Sequence, residues 1–346
     1  MRSIATFRIL RFSPRSCIAN GLPRRVVVAA ALACLALCLW LGDTRAAFAG
    51  DLVIDLRPRP PWVTQLDDSH GPAGAAGGTA TYRSQGSGSV ERLRLSPWPP
   101  RQGQTLIVTV QARRPVTFSL AFLGRVYPVH GASLARWALA PIPALAKPGD
   151  APLTLRAGDQ QLVVDVPVTA GTFETINIPA ATSLPILSNT AKVNAEAVRM
   201  AKLFAATKPG PWNPAALFTP PLHGAFRHTS AFGSRRTYGK DPTLSAHAGE
   251  DYSAAAGTPV YAPADGVVVL AEKLFVRGNA IVLDHGNGVF TGYWHLSEIG
   301  VKPGERVEAG QGIGKVGTTG LSTGAHLHWE MRVEGEAVDP LQWVGK

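Results

Sequence analysis

Gly320-Leu-Ser-Thr-Gly-Ala-His-Leu-His-Trp-Glu330 passes from a Gly/Ser/Thr run into apolar and aromatic residues. That change predicts a strand beginning near His326. Side chains alternate along a strand, so His326 and His328 share one face and Leu327 takes the other. Two imidazoles on one rigid strand suit a metal site or proton-transfer chemistry. Which of these it is depends on what else in the chain converges on them.

Around this stretch, the chain from Pro220 to Trp343 is rich in short β-like runs with glycine at nearly every turn, which predicts a mainly β fold. Seven of the nine histidines fall between His223 and His328, a concentration that a structural core does not need. His247-Ala-Gly-Glu-Asp251 sets a histidine and an aspartate four residues apart around Gly249, which predicts a bend that aims both at one point. Asp284-His-Gly-Asn-Gly288 predicts a hairpin turn, and the run after it ends in Tyr293-Trp-His-Leu-Ser297, with His295 at the strand end.

His247, Asp251 and one of the two strand histidines would make a three-ligand set with a fourth position open, the pattern of catalytic zinc. Imidazole and carboxylate without thiol suit zinc better than magnesium or calcium, which take oxygen cages. The remaining imidazoles are then free to manage protons and oxyanion charge. His285, in the tight turn, reads as structural. His223 and His228 read as surface or groove-rim residues. Glu330 shares the strand face of His328 and could orient it, although a solvated glutamate is the commoner outcome. For Arg235 a structural salt bridge and a substrate contact weigh equally.

Upstream, a helix is predicted from Thr190 to about Thr207, capped by Asn189 or Thr190, with Val193, Ala197, Met200 and Phe204 at helical spacing. Before it, Thr105–Val110, Val116–Phe122, Leu153–Arg156, Gln161–Val168 and Thr175–Ile178 read as the short strands of a β-sandwich. His130 stands alone there and carries no chemistry on its own. The Gly/Ala/Ser-rich tract from Gly71 to Ser89 reads as loop.

The first 49 residues look like a targeting segment: six arginines between Arg2 and Arg25, an uncharged apolar run from Val26 to Leu41, then Ala47-Phe-Ala49. A cleaved signal peptide and an uncleaved anchor through residues 26–41 both fit, and either places the bulk of the chain outside the cytoplasm, in the periplasm or cell envelope. All three cysteines (Cys17, Cys34 and Cys38) lie in this segment, so any metal held further along must use His and carboxylates. The net charge of +10 is partly an effect of the leader, which holds seven of the 34 bases and one of the 24 acids. The near-balanced remainder gives no case for nucleic acid and is compatible with an anionic polymer as substrate. The expected organisation is a signal segment at 1–49, a β-sandwich-like domain at 50–178, a linker with a helix at 179–219 and a catalytic β domain at 220–346.

The C-terminal region resembles the lysostaphin/LytM-type zinc endopeptidases, metallopeptidase family 23. The resemblance is carried by Ala231-Phe-Gly-Ser-Arg235, His247-Ala-Gly-Glu-Asp251, Ala256-Gly-Thr-Pro-Val-Tyr-Ala-Pro263, Gly278 to Gly288, Tyr293-Trp-His-Leu-Ser297, Ala309 to Gly320 and Ser322 to Glu330. It implies an antiparallel β-sheet catalytic domain with a groove, one zinc ion held by His247, Asp251 and His328, and His295 and His326 as catalytic histidines. It also implies a peptide of bacterial peptidoglycan as substrate. Glu250 departs from the family's usual apolar residue, and Trp294 and Trp329 replace smaller side chains where they would flank the groove. A non-catalytic wall-binding regulator of another hydrolase is the alternative implied by inactive members of the same fold.

Overall fold

Along Thr105–Ala112, Leu106, Val108 and Val110 alternate with Ile107 and Thr109, so the strand carries two different faces. The first set is buried in the core of a β-sandwich with Leu93, Leu95, Leu120, Phe122, Leu155 and Val166. Ile107, on the other face, joins Leu139 in a second core with Trp212, Phe218, Met331, Val333, Val338 and Trp343 from the C-terminal region. One strand thus ties the two halves of the chain together.

The computed structural model describes residues 52–55, 66–67, 78–84, 88–178, 189–210, 212, 216–224, 226–238 and 241–345. The leader and its cysteines lie outside these residues. The sandwich consists of a five-stranded and a six-stranded sheet. Gly78–Arg83 is a strand of the latter, inside the tract expected to be loop, because its backbone pairs with Val90–Trp98 and Ala80 enters the core. Pairing and burial override a weak local propensity there. Thr175–Ile178 is a strand as expected but leaves the sandwich: it pairs in parallel with Arg235–Tyr238, which continues antiparallel into Asp241–Ala246.

The C-terminal region is built on one antiparallel sheet. We number its strands β1 (Arg227–Ser230), β2 (Gly249–Ser253), β3 (Gly266–Leu274), β4 (Gly278–Gly286), β5 (Val289–Leu296), β6 (Arg306–Val307), β7 (His326–Val333) and β8 (Glu336–Val338). Their order is β1-β2-β7-β5-β4-β3-β6, with β8 pairing the second half of β7. One face, with Tyr293, Leu327, Trp329, Ile281 and Leu283, packs on Val260, Ile313 and Val316. Helix α1 (Thr190–Ala205) covers part of the other face, burying Met200 and Phe204 against Leu270, Val282, Phe290 and Trp294. Asn189 caps it through a 3.1 Å bond from the Lys192 amide.

Candidate metal centre and its flanking histidines

The site begins with a register. Asp251 of β2 lies directly across from His328 of β7, and Ser253 lies across from His326. Cross-strand partners point to the same face, so Asp251, His326 and His328 project together from the sheet. His247 precedes β2, and its ring meets the pair from the side. His328 Nδ1 is 2.8 Å from Asp251 Oδ1, His247 Nε2 is 3.1 Å from His328 Nδ1, and His247 Nε2 is 3.3 Å from Asp251 Oδ2.

Gly249 is the residue that makes this approach possible, and its role differs from the expected bend. It begins strand β2, and a Cβ there would lie 2.4 Å from the Trp329 carbonyl oxygen and 2.8 Å from His328 Nε2. Close approach of strand and ring, not a turn conformation, requires glycine here.

The outer partners set the tautomers. His247 Nδ1 lies 3.1 Å from the Ala231 carbonyl and 3.3 Å from Ser230 Oγ; donating its proton to the carbonyl leaves the Nε2 lone pair facing inward. His328 Nε2 faces Glu330 Oε2 at 3.6 Å, which leaves Nδ1 directed at Asp251. Two imidazole lone pairs and a carboxylate therefore meet at one point, with donor atoms all within 4.8 Å of one another. A cation would resolve that convergence, and two histidines with one carboxylate are donor chemistry that fits zinc. In the tautomers that instead turn these N–H groups inward, both rings donate to Asp251; burial works against ionising its carboxyl, but those hydrogen bonds outweigh it and hold the carboxyl well below its ordinary range. Burial also works against charge on His328, yet its bonds to Asp251 and Glu330 prevail and raise its affinity for a proton.

Glu330 is no solvated residue. It is buried, accepts a 2.9 Å bond from Trp294 Nε1 and pairs with Arg332. Burial would raise its pKa, but the Arg332 charge and the contact with His328 hold it low. Trp294 and Trp329 do not line an open groove: both are buried, on opposite faces of the sheet, Trp294 beside His328 and Trp329 beside Tyr293. Glu250 is buried because it has partners: Oε1 accepts from the Phe232 amide at 2.8 Å and Oε2 meets His228 Nδ1 at 3.0 Å. Among the described residues Arg235 forms no salt bridge; it donates to Gln102 at 3.3 Å and lies over the Phe173 ring. His285 is structural, bonded to the Asp265 carbonyl at 2.7 Å and to Thr291 at 2.8 Å.

His295 reaches the site by a route that strict alternation forbids. On β5, Tyr293 points to the opposite core and Trp294 to the site face, so a regular strand would send His295 away with Tyr293. Instead the β4–β5 register shifts between Asn279 and Ile281, and His295 takes a left-handed backbone with φ of 62°. A bulge of this kind re-aims one side chain. The ring ends 4.8 Å from that of His326 and 6.3 Å from that of His328 between centroids. Its Nδ1 bonds the Thr319 carbonyl at 2.8 Å, and its amide donates to the Arg277 carbonyl at 2.9 Å. Burial pushes the His295 pKa down to about 4 despite the Thr319 bond. His326 Nδ1 bonds the Gly324 carbonyl at 2.8 Å, and its Nε2 lies 3.9 Å from Asp251. Both rings thus present Nε2 as an acceptor when neutral.

Comparison with known proteins falls on the same part of the chain. The model of Peptidase family M23 matches residues 245–340. The chain is similar to Peptidoglycan DD-endopeptidase ShyA of Vibrio cholerae, 42% identical over 122 residues that make up 35% of this chain and 28% of that protein. It is also similar to the DD-carboxypeptidase/endopeptidase Mpg of Neisseria meningitidis, 48% identical over 95 residues, 28% of this chain and 22% of the relative. The chain therefore spans about a quarter of the length of the curated relatives it matches. A crystal structure of an M23-type protein from Pseudomonas aeruginosa aligns over 71% of this chain and 95% of its own, with a TM-score of 0.54 and 27% identity, so the likeness extends well upstream of the matched domain.

Proposed function

Residues 245–340 are a Peptidase family M23 domain, and from that premise we propose that the protein is a zinc-dependent endopeptidase acting on peptide bonds of bacterial peptidoglycan. The observation that carries the proposal is the convergence of His247, Asp251 and His328 donor atoms beside two further imidazoles. A regulator that only binds the wall has no use for a complete donor set with two further imidazoles beside it.

In this reading His247, Asp251 and His328 hold the ion. When bound, zinc supplies Lewis acidity towards a carbonyl oxygen and a water molecule. The chain's own residues do the rest. His295, kept neutral at physiological pH by burial, offers Nε2 as a proton acceptor while Thr319 fixes its ring. His326 stands across from it, anchored by Gly324, and donates or accepts the second proton as charge develops on the carbonyl oxygen or the leaving amine. Glu330 keeps His328 turned towards Asp251. Peptidoglycan as substrate is supported by the activity named for the Vibrio relative, and endopeptidase chemistry by the Neisseria one; a wall substrate implies action outside the cytoplasm. Among the described residues no helix is long and apolar enough to cross a membrane.

The test is digestion of purified peptidoglycan by wild type beside Asp251→Ala and His295→Ala, with zinc content measured in each and released fragments identified by mass spectrometry. Wild type should cleave and bind one zinc ion. Asp251→Ala should lose both properties. His295→Ala should keep the ion and lose turnover by about 100-fold or more. Full turnover in Asp251→Ala would overturn the ligand assignment.

A further inference from the structure

Helix α1 carries one buried acid. Glu196 is 6% exposed, on the face that packs against the sheet, and nothing in the metal centre touches it. Its carboxylate accepts from three donors of the turn between β3 and β4: the Val276 amide at 2.8 Å, the Arg277 amide at 3.3 Å and Arg277 Nη1 at 2.8 Å. A buried carboxylate satisfied this fully fixes the groups that satisfy it.

That turn is the support of both flanking histidines. The Arg277 carbonyl accepts the His295 amide at 2.9 Å, and the Val276 carbonyl accepts the Leu321 amide at 2.7 Å, within the loop that leads to His326. The same loop supplies the Thr319 carbonyl to the His295 ring. Gly278 and Gly320 pack so closely that a Cβ on Gly320 would meet Gly278 nitrogen at 2.3 Å and the Val276 carbonyl at 2.4 Å. His295 itself sits in left-handed backbone, a conformation that a non-glycine residue holds only when its surroundings impose it. Arg277 lies over the Trp294 ring, which closes the set between turn and strand.

We propose that Glu196 is a positioning residue for the site: from a helix outside the matched peptidase domain it clamps the Val276–Arg277 turn, which in turn holds His295 in its re-aimed conformation and registers the loop before His326. This rests on the reading of His295 as a catalytic base, so the test includes a measurement that needs no activity.

Glu196→Ala, Glu196→Gln and the packing control Met200→Ala are compared with wild type in the full chain. Three quantities are measured: kcat and KM on peptidoglycan peptide, zinc content, and hydrogen exchange at the His295 and Leu321 amides. Glu196→Ala should lower kcat by about 10- to 100-fold with KM and zinc content unchanged, and should speed exchange at those two amides. Glu196→Gln, which keeps an acceptor oxygen, should recover part of the rate. Met200→Ala should lower the melting temperature while keeping kcat within about twofold of wild type. An unchanged kcat in Glu196→Ala overturns the proposal, as does an equal loss in Met200→Ala at matched stability. If wild type itself does not cleave, the functional reading falls, and exchange still decides this inference: unaltered protection of His295 and Leu321 in Glu196→Ala refutes it, and selective loss there supports it.

Discussion

At the scale of single residues the site depends on one missing side chain. Gly249 lets the backbone of β2 lie against the Trp329 carbonyl and the His328 ring. Gly249→Ala forces strand and ring apart, because neither the Trp329 carbonyl nor the His328 ring can swing aside like the end of a flexible side chain. We expect it to cost about 1–3 kcal/mol and to weaken zinc binding, read by thermal melting and metal content. A variant that melts and binds zinc like wild type would show that the strand can shift without disturbing His328. His285 gives a second test, remote from the metal. Burial holds its pKa down to about 4, against about 6.5 in an unfolded chain. Below pH 6.5 the unfolded state takes up a proton that the folded state refuses, so stability falls as pH drops from about 6.5 to 4, by up to about 3 kcal/mol from this group. His285→Gln should be less stable at pH 7 but show a shallower loss over that window in denaturant titrations. An equally steep loss would mean that His285 is not the group responsible.

At the scale of elements, helix α1 should be worth more than its exposed outline suggests. Phe204 is 2% exposed, meets Phe290 edge-on at 5.7 Å and lies beneath Arg332. Phe204→Ala should destabilise by about 3–5 kcal/mol, measured by denaturant unfolding, with zinc content retained while the fold persists. A cost below about 1 kcal/mol would mean that the helix is only loosely docked. The helix was legible in the sequence because its cap and the spacing of Met200 and Phe204 follow simple rules, but Ala197 of the expected stripe is exposed and Glu196 is buried instead. The shared face of His326 and His328 was legible for the same reason, since alternation needs only the local chain. The orientation of His295 was not, because it depends on a bulge fixed by a register shift with β4 and by contacts to Arg277 and Thr319, far away in sequence. The burial of Glu330 escaped for a related reason: a carboxylate looks solvated until Trp294 and Arg332 are seen to satisfy it. Strand Gly78–Arg83 escaped because its stability comes from its partner strand and not from its own composition.

At the scale of the whole molecule, the peptidase sheet lacks a self-sufficient surface. Helix α1 covers Val282, Phe290 and Trp294 on one side. The sandwich covers Met331, Val333, Val338 and Trp343 with Ile107 and Leu139, and Gln342 spans the junction through bonds to the Thr105 amide and carbonyl at 2.7 and 2.8 Å. An upstream region that merely blocked the groove would leave an active fragment when removed. Here the upstream residues supply both the covering apolar surface and Glu196, whose carboxylate holds the turn behind His295. A fragment beginning at Ala216 should therefore melt well below the full chain, expose apolar surface to a hydrophobic dye, and cleave peptidoglycan more slowly per bound zinc ion. A second fragment beginning at Asn189, which restores α1 without the sandwich, should recover most of the rate per zinc ion while remaining less stable than the full chain. The comparison separates two uses of the upstream chain, since positioning follows the helix and stability follows both parts. A fragment from Ala216 that outperformed the full chain would instead make the upstream region an inhibitor, and the helix contacts would then be the first place to look for its release.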